Sequence, residues 1–196
     1  MLGRGAMDST AAVLPNELAL VARAAIEPAA FAAVYDYYFP RVYNYVRYRV
    51  TDPGVADDVT AQVFERVLAK IGRYDPQRAP FSAWLFAIAR NAVNDHLRFR
   101  RRSRWMPVEA LRGRRSPDPK PEDVVVSREE HAELLAAVAR LGDRQRNLIA
   151  LKFAAGLTNR RIAELTGLSE SNVGVILYRA VRRLRTELKS EERDHG

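Results

Sequence analysis

Residues 158–185 read TNRRIAELTGLSESNVGVILYRAVRRLR, and their punctuation predicts two helices joined by a tight turn. Thr158 opens the first helix as an N-cap, its hydroxyl meeting one of the amides that a helix start leaves unpaired. Gly167 breaks the chain after Thr166, and Ser169 caps a longer helix that reaches about Leu188. On a wheel of about 100° per residue, Val173, Ile176, Leu177, Ala180, Val181 and Leu184 gather on one side. Ser171, Val175, Tyr178, Arg179, Arg182 and Arg185 gather on the other. The apolar side can pack on Ile162, Ala163 and Leu165. That is the layout of a helix-turn-helix, whose second helix is then free to enter a major groove. Small side chains near its N-terminus can approach base edges, and arginines further along can meet phosphates.

Working outward, almost everything else also reads as helix, and no stretch has the alternation of a strand. Asp143 is placed to cap a helix over Arg144–Ala154, followed by a turn at Ala155-Gly156-Leu157, and another helix precedes it over about 127–141. Residues 103–127 carry Pro107, Pro117, Pro119 and Pro121 with mixed charges and little apolar pattern, which predicts a linker. Before it, Phe31, Val34, Tyr35, Tyr38, Val42, Tyr45 and Val46 recur at helical spacing over 17–50, with Pro40 expected to kink or split the helix. Thr51-Asp52-Pro53-Gly54 reads as a turn, 56–71 as a helix ended by Gly72 as a C′ glycine, 73–80 as a loop, and 81–102 as a third long helix. The expected fold is all-α: two small helical domains, 16–102 and 128–190, joined by a flexible linker, with tails at 1–15 and 191–196.

Composition narrows the function. None of the 196 residues is cysteine, which excludes disulfides, thiolate zinc sites and a cysteine nucleophile, and fits a cytoplasmic setting. No apolar run approaches the ~18 residues of a membrane helix, so no membrane insertion is expected. The net charge of +8 is concentrated: 90–115 holds nine Arg against Asp95 and Glu109, and 146–185 holds eight Lys or Arg against Glu164 and Glu170. Two basic blocks on a near-neutral frame point to two contacts with a polyanion.

In the first block, Arg90, Asn91, Asn94, Arg98 and Arg101 share one stripe of the 81–102 helix. Asn amides pair donor with acceptor, as bases do, and Arg pairs with phosphate. Trp84 reads as core, and His96 as a satisfied core or helix-end histidine. The chemistry of an enzyme is missing. Asp57 and Asp58 are adjacent and diverge on a helix, Asp95-His96 has the same fault, and Glu129, Glu130, His131 and Glu133 fit a polar helix start. There is no glycine-rich phosphate loop and no nucleophile motif. Neither a cofactor, a metal nor catalysis is expected.

At this point a resemblance carries the reading further. FSAWLFAIARNAVNDHLR at 81–98 resembles region two of the extracytoplasmic-function (ECF) sigma factors, in which F-x-x-W-L-x-x-I-A-R-N followed by D-x-x-R is frequent. ADDVTAQVFERVL at 56–68 resembles the helix before it, and 141–185 resembles region four; together they span about 27–188. The resemblance implies that the first domain binds the clamp helices of core RNA polymerase and single-stranded minus-ten DNA. The second would bind the minus-thirty-five duplex and the polymerase flap.

By position, Asp58, Gln62 and Glu65 would face polymerase, and Arg90, Asn91, Asn94, Arg98 and Arg101 the minus-ten strand. The loop with Tyr74, Asp75, Arg78 and Phe81 would pocket a flipped base, and Ser171, Asn172, Val175, Tyr178, Arg179 and Arg182 would read the duplex. The linker would thread toward the active-site and RNA-exit channels, and an anti-sigma factor is an expected partner. Three departures bear on single contacts. Gly174 and Ile176 stand where many members have Lys and Arg, Gln62 where Glu is common, and Arg161 where Glu often completes a capping box with Thr158. A stand-alone helix-turn-helix regulator would explain 141–188 but would leave 56–102 without a task.

Overall fold

The computed structural model of the chain describes residue 14 and residues 16–103 and 125–194. The linker expected at 103–127 and the tails expected at 1–15 and 191–196 fall largely outside them. Among the described residues eight α-helices follow in order: α1 (Glu17–Ala24), α2 (Pro28–Arg49), α3 (Pro53–Lys70), α4 (Phe81–Ser103), α5 (Val125–Ala139), α6 (Asp143–Ile149), α7 (Asn159–Thr166) and α8 (Glu170–Asp194). A 3₁₀ turn (Ile71–Arg73) follows α3, and a π-helical turn (Ala150–Ala154) extends α6. No strand occurs among the described residues, as the absence of period-two patterning predicts.

Helix ends follow local chemistry, with several corrections to the sequence reading. The expected break at Pro40 falls earlier, at 25–27, where Pro28 starts α2 at a position that needs no N–H. Pro40 lies inside α2, and both it and Asp36, whose carbonyl loses a donor, are exposed, so solvent can take up the missing bond. The expected turn at 51–54 is the start of α3: Asp52 is the N-cap, accepting from the Val55 amide at 3.0 Å, and Pro53 is the first helical residue. Gly72 sits within the 3₁₀ turn without positive φ, so it is no C′ glycine. Gly142 is the N-cap of α6, and Asp143 is its first residue. Thr158 and Ser169 cap as predicted, accepting from Arg161 N and Asn172 N at 3.3 Å each. Gly167 closes α7 at φ 73°, where a Cβ would be strained.

The first domain wraps α1, α3 and α4 around α2. Val34, Tyr38, Val42, Tyr45 and Val46 of α2 are buried, spaced by three and four residues, against Val59, Val63 and Val67 of α3 and Leu85, Phe86 and Ala89 of α4. Phe81 is fully buried between the rings of Tyr74, Tyr38 and Trp84, with centroids 5.3, 5.4 and 5.5 Å away. In the second domain α8 packs on α5, α6 and α7. The two domains do not stand apart. α5, α6 and the π-helical turn also pack on α2, and the buried residues of both domains form one apolar cluster.

Phe81→Ala removes a ring with no exposure at the start of α4, so it is expected to lower unfolding free energy by about 3–5 kcal/mol. Urea denaturation followed by far-UV circular dichroism checks this; an unchanged midpoint would mean that the ring cluster does not anchor α4.

Candidate nucleic-acid interface

Burial along α8 follows the predicted wheel. Val173, Leu177, Ala180 and Leu184 are buried and Ile176 and Val181 partly so. Ser171, Asn172, Val175, Tyr178, Arg179, Arg182 and Arg185 are exposed, with Tyr178 68% accessible. Turning Ile176 toward the core explains why a charged residue is absent there. Arg161, in place of the capping-box acid, instead pairs with Glu164 at 2.6 Å.

On α4, Asn91, Arg98 and Arg101 are exposed, whereas Arg90 and Asn94 are half-buried. Arg98 lies 3.6 Å from Asp95, with 69% of its side chain accessible. The preceding loop is ordered by its own side chains: the Tyr74 hydroxyl donates to Ala79 O at 2.9 Å, and Asp75 accepts from the Gln77 amide at 2.9 Å. Tyr74, Pro76, Gln77, Arg78 and Pro80 line an open cleft of about 370 Å³. Phe81 does not line it; as a buried core ring it supports Tyr74 and Trp84 from beneath. On α3, Asp58, Gln62 and Glu65 are all exposed, opposite buried Val63, Phe64 and Val67. Thus three polar surfaces, one acidic and two basic, occupy three different helices.

The Sigma-70 region 2 family matches residues 34–103, and the Sigma-70 region 4 family matches 131–184. The ECF RNA polymerase sigma factor BldN of Streptomyces coelicolor is 37% identical over 191 residues, covering 97% of this chain and 71% of that protein. The chain belongs to the ECF RNA polymerase sigma factors. The ECF sigma factor RpoE of Cereibacter sphaeroides is 33% identical over 164 residues, 83% of this chain and 88% of its own. Among solved structures, CnrH in complex with the cytosolic domain of CnrY superposes with TM-score 0.65 at 25% identity, covering 88% of this chain and 96% of that one. RpoE in complex with the anti-sigma factor NepR, from Bartonella quintana, has the same fold: TM-score 0.65, 21% identity, 81% and 96% coverage.

Region two of this sigma factor also holds polar residues that the sequence reading passed over. Arg49, at the end of α2, is 95% buried by its 5% accessibility and donates to Asp143 O at 2.8 Å. Burial, and secondarily the nearby Arg146 and Arg90, lower its hold on its proton, while Tyr45 and Asp143 oppose them. The fully buried Tyr45 hydroxyl, its pKa pushed up to about 12 by burial, donates to Asn147 Oδ1 at 3.0 Å. Asp143 pairs with Arg101 of α4 rather than capping α6. The signal for Arg49 was available: it lies four residues beyond Tyr45, on the inward stripe of α2.

His96 is not satisfied, contrary to expectation: its buried Nε2 has no hydrogen-bond partner. Burial and Arg100 lower its pKa, against a smaller opposing pull from Asp58. Unfolded, the ring takes up a proton near pH ~6.5, whereas the folded chain resists doing so until lower pH. This contribution to stability is therefore complete above ~6.5 and is lost as pH falls toward the depressed folded value. His96→Gln is expected to remove that part of the acid sensitivity. The check is melting temperature from pH 8 to pH 5: wild type should lose more than the variant below ~6.5, and parallel curves would contradict it.

Proposed function

We propose that this sigma factor docks on core RNA polymerase through the α3 face of Asp58, Gln62 and Glu65. Asn91, Asn94, Arg98 and the flanking Arg90 and Arg101 hold the minus-ten strand, with one base in the Tyr74–Pro80 cleft. The exposed face of α8 enters the major groove of the minus-thirty-five element. The observation that carries this reading is the presence of two exposed arginine faces on helices of two different domains, each backed by a packed core. The domain limits suggested by the sequence, 16–102 and 128–190, take in the assigned residues, while α4 runs on to Ser103 and α8 to Asp194.

Opening a duplex costs a few kcal/mol per unstacked base. In this reading the protein meets that cost by binding: the loop is already held by the Tyr74 and Asp75 hydrogen bonds, so little ordering remains to be done. No step of bond chemistry is assigned to the chain. The relatives solved with CnrY and with an anti-sigma factor support an inhibitory protein partner here as well. A protein that works on promoter DNA and polymerase acts in the cytoplasm. No helix among the described residues is long and apolar enough to cross a membrane.

In vitro transcription with core polymerase, followed by start-site mapping, tests the assignment: specific initiation is expected, and a stand-alone regulator would give none. Arg98→Ala is expected to abolish or slow open-complex formation, scored by permanganate reactivity of unpaired thymines. Arg179→Ala should weaken duplex binding by about 1–3 kcal/mol if it reads a base. Binding should also fall steeply with salt, and a flat titration would contradict a phosphate-gripping surface.

A further inference from the structure

The far end of α4 carries an aromatic ring that the core does not hold. One flank of this helix starts inside the molecule, with Trp84 half-buried and Ile88 and Ala92 buried. The same flank comes out into solvent at Phe99, which is 61% exposed. The rings at the start of α4 are committed to packing: Tyr74, Phe81 and Trp84 lie pairwise with centroids 5.3, 5.4 and 5.5 Å apart. A single exposed apolar side chain is ordinary and has no meaning alone. The neighbours of Phe99 give it one. It stands in HLRFRRR at 96–102, among Arg98, Arg100, Arg101 and Arg102, all exposed. At about 100° per residue, Asn91, Arg98, Arg102 and Phe99 fall within one sector of about 100°. The carboxylate in that sector, Asp95, lies 3.3 Å from Arg66 and 3.6 Å from Arg98, so its charge is offset.

We propose that Phe99 is a stacking platform for one unpaired base of the minus-ten strand, at the opposite end of α4 from the Tyr74–Pro80 cleft. This rests on the minus-ten assignment above. Single strands are held by positive charge along the backbone and by aromatic rings on which bases stack, since every base has a π-face. The end of α4 offers both together. Four guanidinium groups around the ring favour a polyanion over an apolar protein segment as its cover. The reach also fits. From Asn91 to Phe99 is about 12 Å along the axis at ~1.5 Å per residue, or about three to four steps of stacked bases at ~3.4 Å each. A strand held at Asn91 and Arg98 can therefore lay a further base on the ring without being stretched. In a closed duplex that base is already stacked on its neighbours, so the contact favours the open strand whatever its sequence.

The test uses holoenzyme assembled from core polymerase and the full chain. The probes are short single-stranded oligonucleotides carrying the minus-ten element of a mapped start site, with 2-aminopurine placed at each position in turn. Wild type should quench the fluorophore strongly at one position beyond those held by Asn91 and Arg98. Phe99→Ala should lose that quenching and bind about 5-fold more weakly or worse, the smallest loss expected when a base leaves an aromatic face. Phe99→Trp should restore both. Phe99→Leu, which keeps apolar bulk without a ring face, should restore neither. Phe99→Ala should also keep the salt dependence of wild type, because no phosphate contact is removed, whereas Arg98→Ala should flatten it.

Equal strand affinity in Phe99→Ala and wild type, full affinity in Phe99→Leu, or quenching that persists in Phe99→Ala overturns the platform. The first of these is also the result expected if residues 104–124 of the chain cover the ring instead of a base. The underlying assignment fails separately. Normal open-complex formation by Arg98→Ala sinks it whatever Phe99 does, while loss of strand binding in Arg98→Ala but not in Phe99→Ala sinks the platform alone.

Discussion

Both domains are built on one helix. α2 is packed by α1, α3 and α4 of the first domain and by α5, α6 and the π-helical turn of the second. Its buried residues, Val34, Tyr38, Val42, Tyr45, Val46 and Arg49, lie on one broad inward stripe that elements of both domains cover. The functional side chains of the first domain take their positions from this. α4 is set by Leu85, Phe86 and Ala89, which turn Asn91 and Arg98 outward; α3 is set by Val59, Val63 and Val67, which turn Asp58, Gln62 and Glu65 outward.

The character of the packing changes along α2. Toward the N-terminal half the contacts are aromatic and aliphatic, with Tyr38 donating to Glu17 at the edge. Toward its C-terminal end polar partners join the apolar ones: Tyr45 with Asn147, and Arg49 with the carbonyl of Asp143. A core closed by apolar contacts holds whenever the chain is folded. One closed by a buried cation and a hydroxyl needs each polar group matched, and Arg49 still leaves its Nε without a partner. The domain seam thus combines apolar burial with polar groups that must each be matched.

What the sequence made legible is what depends on neighbours along the chain. The faces of α4 and α8, the caps Thr158 and Ser169 and the stop at Gly167 come from spacing and local hydrogen bonding, and each is read within a few residues. Pro40 does not split α2, because the cost of proline in a helix depends on whether water can reach the freed carbonyl, which is a property of the folded surface. Asp143 misled for a related reason. Its local role as a cap competes with an arginine, Arg101, 42 residues before it, and Gly142 in extended conformation serves as the N-cap instead. Phe81 and His96 were misjudged: one is fully enclosed, and the other is half-buried with a buried Nε2 that has no partner.

The seam was invisible for the same reason that it matters. Tyr45 and Asn147 are 102 residues apart and Arg49 and Asp143 are 94 apart, with residues 104–124 between the helices that carry them. No period or motif marks such a pair. Their pairing follows from the packing of α6 on α2, which only the folded chain shows.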